Sequence, residues 1–451
     1  MLMAEAPSHT PKVILECIAG VDLHRKVMII DQPVTIAHAA YNPDLAIEAL
    51  TRDEGYIIAR LENGLLVLDG IHCYVPLIVN DEGGSFIVLR EKDILRLGNS
   101  IWRAHYGGDP ASISLKEGFT SLIGLEELTD FKLSQIFSEV FKKHSSDEME
   151  EQLITGTARH TPSLADLELG WARPWLFARL LAASAVLAFI LYEAFELFNN
   201  VNLIPGLIFI GSFAVPVSTL LFFLEMNAPR NVSIFKVMQL LFVGGVASLI
   251  VALIFFSRFD FFTTFLGASA AGIIEETAKL LIVALLMGQA QRYKWVLNGL
   301  LFGAAVGTGF GAFESAGYSF RAMLGNGVDA GVASIMLRAL LAPFMHIVWT
   351  ANSAAALWLV KGDKPFSWNM LKEPAFLRIF IAMILIHMIW NAPFSLLQLP
   401  IVLDLKFVIL GVLDWVICFR LVQVGLRQLN KARQELALPA IAEAEQSSPV
   451  N

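Results

Sequence analysis

Glu275, Glu276 and Lys279 stand in GIIEETAKLLIVALL, Glu314 in GTGFGAFES, His346 in PFMHIVW and His387 in LIHMIWNAP, each inside an apolar run. Placing such a group in hydrocarbon costs several kcal/mol, so each is a functional candidate by default. Two histidines and two or three carboxylates in a dry cavity suit activation of water for attack on a carbonyl. A carboxylate takes the proton from water, and His or Asn donors hold the oxyanion. His387 and Asn391 are one helical turn apart, an imidazole beside an amide on one face. A zinc centre is the alternative, with Glu314, His346 and His387 as ligands and another glutamate as base. Apart from that alternative no cofactor is called for. The chain has no HExxH and no GxSxG, and Ser315 and Ser353 lack a triad setting, which argues against serine chemistry.

Spacing supports convergence. Counting about 1.5 Å per residue from the ends of the runs puts Glu275, His346 and His387 each roughly 20 Å deep, with Glu314 nearer the outer face. Lys279 follows Glu276 by three positions and Glu275 by four, so it can neutralise one carboxylate and leave the other free. Gly303, Gly307 and Gly311 make a small-xxx-small stripe that lets a neighbouring helix approach. HIVW at His346 recurs as HMIW at His387. A single His or Glu in a span is as often a structural hydrogen-bonding residue as a working one. A whole set at one depth on four spans needs a bundle interior or a water-filled cavity.

The elements that must position them are membrane helices. Of the 451 residues 56% are hydrophobic and 16% charged, against about 25% charged in ordinary soluble proteins. Apolar segments near 176–198, 203–224, 238–257, 262–288, 296–320, 334–360, 376–398 and 402–426 predict a polytopic α-helical membrane bundle of about eight transmembrane helices. Every second connection is basic (Arg230 and Lys236, then Arg292 and Lys294, then Lys361 to Arg378), which predicts both termini on the cytoplasmic side of a cell membrane. Arg338 and Asp414, also inside spans, read as a mutual or backbone-satisfied pair no less than as substrate contacts.

Before the spans, VILECI, VMII, VTIA, YIIARL, LLVLDG, YVPLIV, FIVLRE and ILRLGNSIWRAH read as short strands, broken by turn signals at Asn63-Gly64 and Asp81 to Gly84. They predict an N-terminal all-β sandwich. Phe131, Ile136, Phe137, Val140 and Phe141 recur at helical spacing, and Ser145-x-x-Glu148 is a capping box. The domain expectations are a cytoplasmic sandwich over 1–112, a helical linker over 113–170, a transmembrane domain over 171–430 and a disordered cytoplasmic tail over 431–451. Met1 to Lys26 shows no cleavable signal peptide. The net charge of -8 points away from nucleic acid, and Cys17, Cys73 and Cys418 are too scattered for a disulfide framework.

GIIEETAK, the Gly-rich FGAFE, a histidine in each of two later spans and the phrase FFLEMNAPRNVS together resemble the PrsW family of intramembrane proteases, relatives of the CAAX-prenyl and bacteriocin-processing enzymes. The resemblance covers about 175 to 425. It implies Glu275, Glu276, Glu314, His346 and His387 as the functional set, with Lys279 supporting and Asn391 matching the asparagine of the prenyl proteases. It also implies a membrane-anchored protein substrate within the lipid bilayer, and regulated proteolysis of a signalling protein. Leu89 to Ala104 resembles the closing strands of forkhead-associated (FHA) domains, which implies a cytoplasmic protein partner. The loop after VTI holds Ala37-His38 where a phosphothreonine-binding member has Gly-Arg. Two rivals remain open: a proton- or cation-coupled transporter using the mid-membrane carboxylates, and a partner-binding sandwich on a degenerate anchor.

Overall fold

Alternate side chains of the first strand, Val13, Leu15 and Cys17, are buried, as the period of a half-buried strand requires. The computed structural model describes residues 13–447 apart from 23–24, 30–31, 49, 51–53, 63–64, 81, 91–92, 107–114, 130, 158, 168–169 and 400–402. The first twelve residues of the leader reading and the Asn63-Gly64 turn lie outside the described residues. The chain divides into two compact units, Met1–Gly118 and Phe119–Asn451.

The first unit is all-β. Its strands are β1 (Val13–Ala19), β2 (Lys26–Ile29), β3 (Val34–Ala37), β4 (Leu45–Ala46), β5 (Tyr56–Glu62) and β6 (Leu65–Asp69). Then come β7 (Leu77–Val79), β8 (Glu82–Gly84), β9 (Phe86–Leu89), β10 (Ile94–Leu97) and β11 (Ser100–Tyr106). They form a six-stranded sheet, β2-β1-β11-β10-β7-β8, and a five-stranded sheet, β4-β3-β5-β6-β9. Among the described residues only β3 and β4 run parallel within these sheets. Trp102, Leu15 and Leu95 of one sheet and Ile36, Ile57 and Leu68 of the other share one core, the arrangement of a sandwich. Each apolar run named above carries a strand. One turn moves: Glu82–Gly84 pairs with β7, and Asn80, at φ 48°, makes the bend.

Helix α1 (Leu115–Ile123) contains the boundary at Gly118, and α2 (Leu133–Ile136) and α3 (Ser146–Leu153) of the second unit precede the spans. The Ser145–Glu148 capping box is formed in full. The helical spacing from Phe131 to Phe141 yields only a short turn: Ile136 is buried, whereas Phe141 is 98% exposed. The linker docks on the last helix, where Arg420 Nη1 donates to Thr120 Oγ1 and the Leu125 carbonyl, and Gln423 Nε2 donates to the Glu127 carbonyl.

The remaining helices are α4 (Leu176–Phe198), α5 (Ile204–Met226), α6 (Ile234–Gln239), α7 (Gly245–Arg258), α8 (Asp260–Leu266) and α9 (Ala270–Met287). They continue as α10 (Val296–Asn326), α11 (Val328–Leu341), α12 (His346–Lys361), α13 (Pro374–Asn391) and α14 (Leu405–Ser447). A π-turn, Leu240–Gly244, joins α6 to α7 in one span. Among the described residues seven spans are long and apolar enough to cross a membrane, which makes this a multi-pass membrane protein. The 18-residue α9, in the expected segment 262–288, is the one of the eight outside this seven; it carries the three charges of Glu275, Glu276 and Lys279.

Three expected spans change shape. Segment 262–288 breaks at Gly267, whose φ of +55° suits a residue without Cβ. Segment 334–360 breaks before His346, at a 3-10 turn, Ala342–Phe344, containing Pro343. Segment 376–398 stops at Asn391, two residues before Pro393. The tail expected to be disordered from 431 is helical to Ser447. Its Ala and Glu residues are strong helix formers, and they extend a helix that needs no new nucleus.

Candidate active site

Four helices supply the polar residues. Glu275, Glu276 and Lys279 of α9 are buried at 6%, 0% and 0% exposure, in a layer where an unpartnered polar group is costly. Glu314 lies on α10, His346 opens α12, and α13 carries His387 and ends on Asn391. The glycine stripe makes this convergence possible. A Cβ on Gly303 would run into the Thr350 carbonyl, and one on Gly307 into the carbonyl of His346. The α12 backbone therefore packs directly on α10, which brings the first turn of α12 to Glu314.

Glu276 Oε1 accepts from Lys279 Nζ at 2.5 Å and lies 2.8 Å from His387 Nδ1. Lys279 Nζ lies 3.0 Å from His346 Nδ1, and His346 Nε2 lies 2.9 Å from Glu314 Oε2. The ammonium can only donate. His346 Nδ1 is thus an acceptor and its Nε2–H donates to Glu314. By the same logic His387 donates Nδ1–H to the carboxylate of Glu276 and keeps its Nε2 lone pair free. Glu275 Oε2 stands 3.9 Å from both His346 Nδ1 and His387 Nε2. It has no hydrogen-bond partner among the described residues.

Glu275, Glu314, His346, His387 and Asn391 line one cavity of about 580 Å³, together with apolar residues such as Leu253 and Phe310. Glu276 and Lys279 are absent from that lining; they stand behind His387 and His346. Arg338 of α11 also faces the cavity. It donates from Nη2 to Glu314 Oε2 and from Nε to Ser315 Oγ.

The donor set for a metal differs from the expected Glu314, His346 and His387. Glu314 Oε2 is taken by Arg338 and His346. Glu275, His346 and His387 instead each bring a ligand atom within 4.8 Å of the other two. Two imidazoles and a carboxylate are the residue types of a catalytic zinc site, and His346 Nδ1 would serve an ion once Lys279 Nζ leaves it. The orphaned Glu275 oxygen and the free His387 Nε2 are the atoms such an ion would satisfy, with Glu276 behind His387 as the usual orienting carboxylate.

Of the readings open for Arg338 and Asp414, the mutual pair is not formed. Asp414 Oδ2 accepts instead from Trp349 Nε1 at 2.6 Å. Trp349 stacks on His387, centroids 4.2 Å apart. The tryptophan of the HxxW repeat and the arginine were both visible in the sequence, but spacing could not say which side chains they would meet.

Residues 233–421 match the model of the PrsW family, described as intramembrane metalloproteases. This stretch is a PrsW-protease domain. It is narrower than the 175–425 of the sequence resemblance, and it contains every polar residue of the cavity named above. The PrsW domain is a membrane-embedded peptidase. No curated protein matches the chain. Two solved structures are similar to part of it: an FHA domain from a hypothetical protein of Arabidopsis thaliana, and a chain from a study of phosphothreonine-dependent FHA domain interactions. The first is 13% identical, covers 25% of this chain and 99% of its own, and has a TM-score of 0.22. The second is 17% identical, covers 21% and 95%, and has a TM-score of 0.18.

Proposed function

We propose that this protein is a metal-assisted endopeptidase that hydrolyses a peptide bond of a membrane-anchored protein, with Glu275, His346 and His387 holding the ion. One observation carries the reading. Three buried side chains from α9, α12 and α13 line one cavity, each with a ligand atom within 4.8 Å of the others. A bound zinc ion would supply Lewis acidity toward the carbonyl and acidify a water. The chain's own residues do the rest. Glu276, neutralised by Lys279, takes the Nδ1–H of His387 and so presents Nε2 as a lone pair. Glu314, held by Arg338 on the cavity wall, removes a proton from water and returns it to the leaving amine. Asn391 donates its amide hydrogens to the oxyanion.

A second reading keeps these residues without a metal, with Glu275 as the base. Lys279 Nζ on His346 Nδ1 favours it, because that contact occupies a nitrogen an ion could use. The family match favours hydrolysis over ion-coupled transport. The substrate is read as a single-span or anchored protein of a signalling route, cut in or beside its membrane segment. The sandwich would bind a cytoplasmic partner, with both termini on the cytoplasmic side.

The test compares wild type with Glu275→Gln in membranes of an expressing cell, mapping new protein N-termini by mass spectrometry. Cleavages in or next to spanning segments are expected with wild type alone; an equally active variant would sink the reading. Metal content, and activity before and after chelation, separates the two mechanisms.

A further inference from the structure

A second buried acid, paired with no cation among the described residues, is linked to His387 through Trp349. Asp414 of α14 is fully buried. Its Oδ2 accepts from Trp349 Nε1, and its Oδ1 has no hydrogen-bond partner among the described residues. Asn352 Nδ2 donates to the Asp414 carbonyl at 3.1 Å, tying the same turn of α14 to α12 a second time. A buried carboxyl group with one donor is a standing cost, so what it holds matters.

It holds a flat surface. The Trp349 ring lies on the His387 imidazole at 4.2 Å and 26° and meets His346 edge-on at 5.2 Å and 81°. Trp390, the other HxxW tryptophan, packs edge-on against Trp349 at 5.5 Å. Glu276 fixes His387 through a single contact at Nδ1, and one hydrogen bond leaves the ring free to turn about that direction. A plane stacked on the imidazole removes this freedom. An indole anchored at its own N–H cannot slide off it.

We propose that Asp414 and Trp349 are positioning residues, fixing the plane of the His387 imidazole so that Nε2 faces Glu275 and the cavity. The inference rests on the reading of His387 as a working residue. Neither residue needs to touch substrate.

The test uses full-length protein in detergent, with Co²⁺ alone as the metal probe and, as substrate, the best-cleaved peptide found by N-terminal mapping. Asp414→Leu removes the acceptor, Trp349→Phe keeps a flat ring without the N–H, and Asp414→Asn keeps an acceptor. Asp414→Leu and Trp349→Phe should each weaken Co²⁺ binding by about 10–100-fold, as outer-sphere changes do. They should lower kcat by a similar factor with KM unchanged. Asp414→Asn should stay within about threefold of wild type, and the Asp414→Leu/Trp349→Phe double variant should be no worse than the poorer single one. Should Asp414→Leu fail to fold, Trp349→Phe against Asp414→Asn carries the same contrast.

Wild-type values in Asp414→Leu, losses that add in the double variant, or an Asp414→Asn as impaired as Asp414→Leu would each overturn the proposal. Wild type that binds Co²⁺ but cleaves nothing ends the hydrolase reading and leaves the Co²⁺ comparison decisive. Wild type that cleaves without metal leaves the kcat comparison decisive. Wild type that does neither ends both.

Discussion

Glu275 and Glu276 are neighbours in sequence with opposite surroundings. Glu276 is fully buried with its Oε1 held by Lys279 and His387, whereas Glu275 faces the cavity; each keeps an Oε2 with no hydrogen-bond partner among the described residues. Removing one member of a buried ion pair costs about 3–5 kcal/mol, because the other charge is stranded. Glu276→Gln should therefore lower the thermal midpoint sharply, and Glu276→Gln/Lys279→Met should recover much of it. Glu275→Gln should leave stability within about 1 kcal/mol, since its Oε2 gives up no hydrogen bond, and still abolish cleavage. Thermal unfolding in detergent beside a cleavage assay reads all three, and equal midpoints for the two single variants would contradict the division of labour. The sequence located this layer but could not divide the roles. Positions three and four apart are equally near on a helix, and the choice of Glu276 as Lys279's partner is a side-chain matter. Glu314 shows the same limit: its main cation is Arg338, from a helix the sequence joined to α12 as one span.

At the scale of elements, small residues and interruptions set the site. The sequence made the glycine stripe legible as a close-approach surface, and the structure shows which backbone approaches: the carbonyls of His346 and Thr350 meet α10 at Gly307 and Gly303. Gly307→Val should push α12 outward and cost about 1–3 kcal/mol, the usual cost of overpacking. It should also move His346 off Glu314, so activity should fall further than stability explains. A Gly307→Val protein that melts early yet cleaves at the wild-type rate would show that α12 has room to shift. The breaks at Gly267 and before His346 were hidden by unbroken hydropathy, although Pro343 was a visible signal. Irregular backbone at membrane depth survives where protein or a watery cavity takes its polar groups, and here both breaks adjoin the cavity, with Gly267 and Met345 in its lining. Trp415 Nε1 satisfies the Pro343 carbonyl at 3.1 Å.

For the whole molecule the deciding quantity is the parity of crossings. Seven spans qualify by length and hydropathy, and seven alone would put the linker and the end of α14 on opposite sides of the membrane. If α9 also crosses, the count is even and both lie on one side, which agrees with basic residues in every second connection. The charges that lower the hydropathy of α9 are the ones that would do chemistry, and their mutual pairing is what lets the helix remain in hydrocarbon. Three variants decide it, each adding one cysteine to a background that lacks Cys73 and keeps only the buried Cys17 and Cys418. Phe141→Cys and Leu436→Cys sit at 98% and 62% exposed positions, and Val201→Cys, between α4 and α5, at a 64% exposed one. A membrane-impermeant maleimide should label the first two only in inside-out vesicles and the third only in right-side-out ones. Labelling of Phe141→Cys and Leu436→Cys from opposite faces would mean that α9 does not cross. Glu275 would then stand at an aqueous surface, and a water-activating site inside the bilayer would lose its basis.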